Sequence, residues 1–209
     1  MRVAICTPCR DMVHAGYAFD LARLVGRAVT DLDAQVRVIT SPGTLICDQR
    51  VAIAKEALAT GNDWLLWLDS DMRFPADTLT QLLAREEPIV GANYVTRELP
   101  PRPVSKNRDM GGWIDVPTKP GSTGVEEVAA IGLGVALISA EVFKTMDQPW
   151  FHLGFSTVNE KFLGEDVYFA IKAKDAGYRI LVDHDLSKQV RHVGSFEYRH
   201  EHADIVETE

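Results

Sequence analysis

Apolar residues open the chain as a short run, Arg2 to Cys6, which predicts a strand closed by a turn at Thr7–Arg10. Residues 14–31 then place Phe19, Leu21, Leu24, Val25 and Val29 at helical spacing. Val36–Thr40 reads as a second strand, ended by Ser41-Pro42-Gly43. Asp48 is placed to cap a helix running to about Thr60, which Gly61-Asn62 ends. Trp64–Leu68 is a continuous apolar run, the pattern of a strand buried on both faces. It stops at Asp69-Ser70-Asp71, and Phe74-Pro75 opens a helix from about Ala76 to Ala84, with Pro in the first turn. Ile89–Ala92 is a fourth strand. This alternation of strand and helix predicts an α/β fold whose largely parallel central sheet is flanked by helices on both faces.

The pattern changes at about Thr96. Residues 96–124 hold Pro100, Pro101, Pro103, Pro117 and Pro120 with Gly111, Gly112, Gly121 and Gly124, and read as one long loop with few regular elements. Val125–Ile131 and Val135–Ser139 read as strands around Gly132-Leu133-Gly134, where the glycines permit close backbone approach to a ligand or an unusual turn. Gly164–Ala176 is amphipathic and ends at Gly177; Tyr178–Val182 and Gln189–Val193 are short strands. Ser195–Glu209 is a polar, acidic tail.

With 209 residues and 46% hydrophobic content, the chain suits one domain with a real core. A formal charge of −8, with pI near 5.3, argues against non-specific nucleic-acid binding but leaves room for a local basic pocket for a phosphate. The longest apolar stretch, Val128–Ala140, is too short to span a membrane, and the N-terminus has no apolar run of the signal-peptide type. A cytoplasmic protein is the expectation. Three cysteines give no disulfide framework. Cys6-Thr-Pro-Cys9 closes the first strand with no preceding βα unit, which argues against a thioredoxin-like redox motif, and usable further zinc ligands are lacking.

The chemistry concentrates at three places. Asp69 and Asp71, at the C-terminal end of a buried strand, stand where open α/β sheets bind ligands. Two acids one residue apart repel, and a hard divalent cation that itself holds a phosphate resolves that repulsion. Glu165 and Asp166 open a helix, where the dipole favours carboxylates; one of them is also placed to act as a general base. His192, in Val-Arg-His-Val-Gly, offers an imidazole that can complete a metal site.

In this order, the strand into Asp69-Ser70-Asp71, Gly132-Leu133-Gly134, Gly164-Glu165-Asp166 and His192 resemble the GT-A-fold glycosyltransferases of the nucleotide-diphospho-sugar transferase superfamily, especially the inverting, family-two-like branch. The resemblance spans residues 1 to about 195. It implies a Rossmann-like GT-A domain with a nucleotide-sugar-binding half at about 1–95, an acceptor-binding half at about 96–195 and a polar tail at 196–209. It implies that Asp71 binds Mn²⁺ or Mg²⁺, which bridges the diphosphate of a nucleoside-diphosphate sugar, and that Asp69 contacts the ribose or the metal through water. His192 becomes a third metal-side ligand, Asp166 the catalytic base and Glu165 its support. Thr7, Pro8 and Arg10 line the base and ribose pocket, and Arg50 reaches the pyrophosphate.

Processive relatives carry a Gln-x-x-Arg-Trp signature and membrane helices, and neither is present, so a single-addition enzyme is expected. A nucleotidyltransferase acting on sugar phosphates shares the metal logic but normally has a Gly-rich basic loop where this chain has Thr7-Pro8-Cys9-Arg10. A non-catalytic nucleotide- or sugar-binding module needs no acid at 166. The acceptor, whether saccharide, protein, lipid-linked sugar or modified nucleobase, is expected to meet residues 96–124 and the segment around Trp150–Phe162. There Trp113, Trp150 and Phe151 are either sugar-stacking rings or core anchors.

Overall fold

A computed structural model describes residues 1–110, 112–156, 161–194, 197–198 and 200. Most of the expected acidic tail, with its His202, lies outside the described residues, as do Gly111 and residues 157–160 of the segment expected to face the acceptor. In chain order the elements are β1 (Arg2–Pro8), α1 (Ala15–Leu32), β2 (Gln35–Ser41), α2 (Ile46–Ala59), β3 (Trp64–Leu68), β4 (Met72–Arg73), α3 (Thr78–Leu83) and β5 (Ile89–Gly91). Then follow β6 (Lys106–Asp109), β7 (Gly112–Asp115), β8 (Val125–Val128), β9 (Val135–Ser139), α4 (Ala140–Thr145), β10 (Gly154–Ser156) and β11 (Lys161–Leu163). The chain closes with α5 (Glu165–Asp175), β12 (Ile180–Asp183), α6 (His184–Ser187), β13 (Arg191–Val193) and β14 (Glu197–Tyr198).

The central sheet has seven strands in the order β2-β1-β3-β9-β5-β12-β8. β2, β1, β3, β5 and β12 run one way, while β9 and β8 run against them. The sheet is therefore mostly parallel, as expected, and its two halves interleave: β9 pairs Leu68↔Val135 with β3 and Gly91↔Ala136 with β5. Strand alternation sorts the core. Val3, Ile5, Leu66 and Leu68 face one apolar layer with Tyr17 and Leu24 of α1 and Leu79 and Leu82 of α3. Ala4, Cys6, Leu65 and Trp67 face the other, with Ile53 of α2, Phe143 of α4 and Phe169 of α5. Both faces are covered, which is why these strands read as unbroken apolar runs.

Several boundaries differ from the expectation. α2 begins at Ile46 with Leu45 as its cap, so Asp48 lies inside the first turn, where the helix dipole favours it. Pro75 precedes α3 rather than opening it: its carbonyl accepts the Thr78 amide at 3.2 Å and the Thr78 hydroxyl at 2.7 Å. The expected 96–124 loop contains an antiparallel hairpin, β6–β7, with Arg108 opposite Trp113, whose mostly polar strands carry no apolar periodicity. β8 ends at Val128, because the amides of Ala129 and Ala130 both turn to the Lys106 carbonyl.

Trp150 and Phe151 are core residues. Phe151, 2% exposed, stacks on Phe169 at 5.2 Å between centroids and meets Trp67 edge-on at 5.4 Å. Trp150 donates its Nε1–H to the Met146 carbonyl at 3.0 Å. Phe151→Ala is expected to cost about 3–5 kcal/mol by emptying that aromatic layer, read as a shifted denaturant midpoint. A variant with wild-type stability would return Phe151 to the surface.

Candidate active site

The Asp69-Ser70-Asp71 turn sits at the C-terminal edge of β3 and its backbone is tied on three sides. The Asp69 amide donates to the Gly134 carbonyl at 3.0 Å, His14 N donates to the Ser70 carbonyl at 3.0 Å, and Val193 N donates to the Asp71 carbonyl at 2.9 Å. The last bond comes from a small sheet in which β13 pairs antiparallel with β4, placing His192 opposite Met72. That short pairing carries a residue from the end of the fold to the side of Asp71.

The two aspartates then diverge. Asp69 turns to Arg50, whose Nη2 lies 3.0 and 3.3 Å from its carboxylate oxygens. The Arg50 Nε donates to Glu165 Oε1 at 3.0 Å, and its guanidinium lies 5.3 Å from the Trp67 ring. Arg50 is 2% exposed. Burial opposes its charge, but Asp69 and Glu165 outweigh burial and hold it firmly protonated. Its Nη1 is buried without a hydrogen-bond partner. Asp69 itself is pushed above the usual carboxylate range by burial, with Asp71 and Glu165 adding to the effect and Arg50 opposing it.

Asp71 faces the other way. His192 Nε2 lies 3.4 Å and Arg97 Nη1 2.9 Å from its Oδ2. Burial raises its pKa, but His192 and Arg97 outweigh burial and leave it below the ordinary value. His192 Nδ1 lies 2.9 Å from the Val95 carbonyl. A carbonyl only accepts, so Nδ1 carries the proton; Nε2 donates to Asp71 when the ring is protonated and offers a lone pair on that side when it is neutral. Among the described residues no three His, Cys, Asp or Glu side chains group closely enough to hold a metal; Asp71 and His192 form a pair, with Asp69 committed to Arg50.

Asp166 begins α5 beside Glu165. Its Oδ1 accepts the Val167 amide at 2.7 Å, and a Cβ on Gly164 would stand 2.5 Å from that oxygen, so glycine there lets the carboxylate fold back over the helix start. Burial, then the charge of Glu165, pushes its pKa up to about 6.

Sequence reasoning missed the segment Tyr94–Arg97, which follows β5. Tyr94 OH accepts the Gly134 amide at 3.0 Å, and its ring meets His192 edge-on at 5.4 Å. Cβ atoms on Gly132 and Gly134 would come within 2.5 and 2.7 Å of Tyr94, so the close approach these glycines permit is to a tyrosine. Val95 fixes the His192 tautomer and Arg97 pairs with Asp71. The available signal was position: a polar segment leaving the C-terminal end of a buried strand.

The other expected residues are less involved. The Thr7 hydroxyl is bonded to Tyr17 OH, Pro8 ends β1 opposite Ser41, and Arg10 is exposed in the following loop. Trp113 lines a separate cavity of about 420 Å³ between the β6–β7 hairpin and the far end of α5, with Arg108 over its ring. His200, in the polar tail, places Nε2 2.9 Å from the Asn93 carbonyl, and burial lowers its pKa.

No protein-family model and no curated protein matches the chain. Solved structures do. A197 from STIV is 19% identical over 93% of this chain and 86% of its own, with a TM-score of 0.59. GalNAc-T7, crystallised with UDP, GalNAc and Mn²⁺, is 12% identical over 93% of this chain, with a TM-score of 0.52. This chain spans 44% of that one. At these identities the likeness speaks for the fold: the chain has a glycosyltransferase-like GT-A α/β fold. No described helix is long and apolar enough to cross a membrane.

Arg50→Met is expected to destabilise the protein by about 3–5 kcal/mol, because Asp69 and Glu165 are left buried without their cation. Without Arg50 to oppose burial, the Asp69 carboxyl is raised further in the folded state, so the deficit is largest at neutral pH and shrinks as pH falls toward its unfolded value. Denaturant titrations at pH 7 and pH 5 check this; an equal deficit at both would rule out the electrostatic cause.

Proposed function

We propose that this protein is a metal-dependent glycosyltransferase that moves a sugar from a nucleoside-diphosphate sugar to an acceptor hydroxyl, inverting and non-processive, of the family-two-like branch. The observation that carries this is one sheet edge at which an oriented Asp71–His192 pair and the half-buried, raised-pKa Asp166 both interact electrostatically with Asp69. Residues 1–95 supply the donor side, with Thr7, Pro8 and Arg10 toward the nucleoside. The later half supplies the acceptor side.

The donor set fits a divalent cation. A carboxylate and an imidazole whose tautomer is fixed by a carbonyl are typical cation ligands, and two protein ligands leave room for diphosphate oxygens and water. The nitrogen ligand favours Mn²⁺ over Mg²⁺, which prefers oxygen alone. When bound, the cation supplies neutralisation of charge on the departing diphosphate without a proton. Asp69, pinned by Arg50, orients the ribose or cation-bound water. Glu165 holds Arg50 and, by its charge, keeps Asp166 basic.

In the reaction the acceptor oxygen attacks the anomeric carbon on the face opposite the diphosphate. A new carbon–oxygen bond forms and the bond to the phosphate oxygen breaks, that oxygen keeping the electron pair. Asp166 takes the acceptor's proton. Its raised pKa suits a base that must bind a proton and release it afterwards.

A panel of sugar nucleotides assayed with Mn²⁺ for nucleoside-diphosphate release tests the reading. Asp71→Asn should abolish Mn²⁺-dependent binding of nucleoside diphosphates by calorimetry with the fold intact; unchanged affinity removes the metal assignment. Asp166→Asn should lower turnover by about 10²-fold or more with little change in donor affinity. Because the base must be ionised, wild-type kcat/KM should fall as pH drops through about 6. The Asn variant should lose that limb, and a profile that keeps it assigns the titration elsewhere.

A further inference from the structure

Arg97 belongs to none of the roles above, yet it lies closer to the Asp71 carboxylate than His192 does. Its Nη1 lies 2.9 Å from Oδ2, the same oxygen that His192 Nε2 approaches at 3.4 Å. The Arg97 side chain is 50% exposed. It springs from a loop whose base is fixed: Thr96 N donates to the Arg102 carbonyl at 2.8 Å, Arg102 N donates to Thr96 Oγ1 at 3.0 Å, and Val95 bridges Pro103. The backbone is clamped on both sides of Arg97 while the long side chain ends at the site's mouth. Arg50 differs: it is buried and held by two carboxylates.

We propose that Arg97 is a mobile counter-charge that competes with the divalent cation for Asp71 and, once displaced, contacts the diphosphate of the donor. The proposal rests on the reading of Asp71 as a cation ligand. A guanidinium and a divalent cation cannot both neutralise one carboxylate oxygen at full strength. Arg97 released from Asp71 is a free planar donor beside a dianionic or trianionic group, the pairing guanidinium geometry favours. Cation alone must displace Arg97 with nothing to receive it. Cation together with diphosphate gives Arg97 a new partner. Binding of the two is therefore cooperative, and by linkage each strengthens the other by the same factor.

Calorimetry on the full chain tests this without turnover. Mn²⁺ alone is titrated into wild type, Arg97→Gln, Arg97→Lys and Asp71→Asn. UDP, GDP, ADP and CDP are then titrated into each with saturating Mn²⁺. Arg97→Gln should bind Mn²⁺ alone about two- to fivefold more tightly, the scale of a partly exposed ion pair removed from competition. It should bind the preferred diphosphate with Mn²⁺ about tenfold more weakly, the scale of one lost charge-assisted hydrogen bond. Arg97→Lys should fall between. Arg97→Gln with wild-type values in both titrations, or with weaker Mn²⁺ binding, overturns the proposal while the glycosyltransferase reading stands. Wild type that binds neither Mn²⁺ nor any of the four nucleotides, or Asp71→Asn that binds Mn²⁺ normally, overturns the cation assignment and this proposal with it.

Discussion

A single buried guanidinium decides the electrostatics of this fold. Arg50 reaches from α2 to Asp69 at the end of β3 and to Glu165 at the start of α5, joining elements far apart in sequence. Carboxylates gathered at one sheet edge repel one another, and their burial makes the repulsion worse. Arg50 meets two of them directly, through Nε and Nη2, and Asp166 only at longer range. Burial raises the proton affinity of both Asp69 and Asp166, and the charge of Arg50 opposes it at each. The base proposed at 166 and the ion pair beside it are two consequences of the same arrangement.

The other half of the site depends on chain reversal. β4 has two residues, yet its pairing with β13 brings His192 to Asp71, and the Val193 amide locks the Asp71 carbonyl. The Tyr94–Arg97 segment closes the arrangement from a third direction, as Tyr94 fills the space left by Gly132 and Gly134 and Val95 orients the imidazole. The antiparallel β9 makes this possible. By entering between β3 and β5 it delivers the glycine turn to the same sheet edge as the ends of the two parallel strands.

The sequence was informative where one chemical property dominated a stretch. Unbroken apolar runs marked β1 and β3, and the doubly covered sheet is their cause. The aspartate pair, Gly164-Glu165-Asp166 and His192 stood out by residue type, and the structure brings them together with Arg50. What escaped was set by tertiary contact. The β6–β7 hairpin alternates without an apolar face, and α4 and α6 are too short for periodicity to register. Trp150 and Phe151 gave no sign of whether their rings met solvent or Phe143 and Phe169, because an aromatic side chain suits both. Tyr94 and Arg97 act only through residues distant in sequence, Gly134 and Asp71, so no local pattern marks them.

Charge balance ties these parts to the chemistry proposed. Asp69, Asp71, Glu165 and Asp166 place four carboxylates around one sheet edge, against the two guanidinium groups of Arg50 and Arg97. In an acidic chain of net charge −8, that edge would repel a nucleoside diphosphate on its own. Under the proposed reading, a divalent cation held by Asp71 and His192 would change the sign of the local field, and an arginine freed from Asp71 would add to the change. The acids that make the site hostile to its donor are the same groups that recruit what makes it welcoming. Under the proposed reading, donor affinity in such a site would rise and fall with the cation, while Asp166, outside the Asp71–His192 pair, would govern the pH dependence of turnover. Donor binding and proton transfer would then answer to different carboxylates of the same sheet edge, Asp71 for the first and Asp166 for the second.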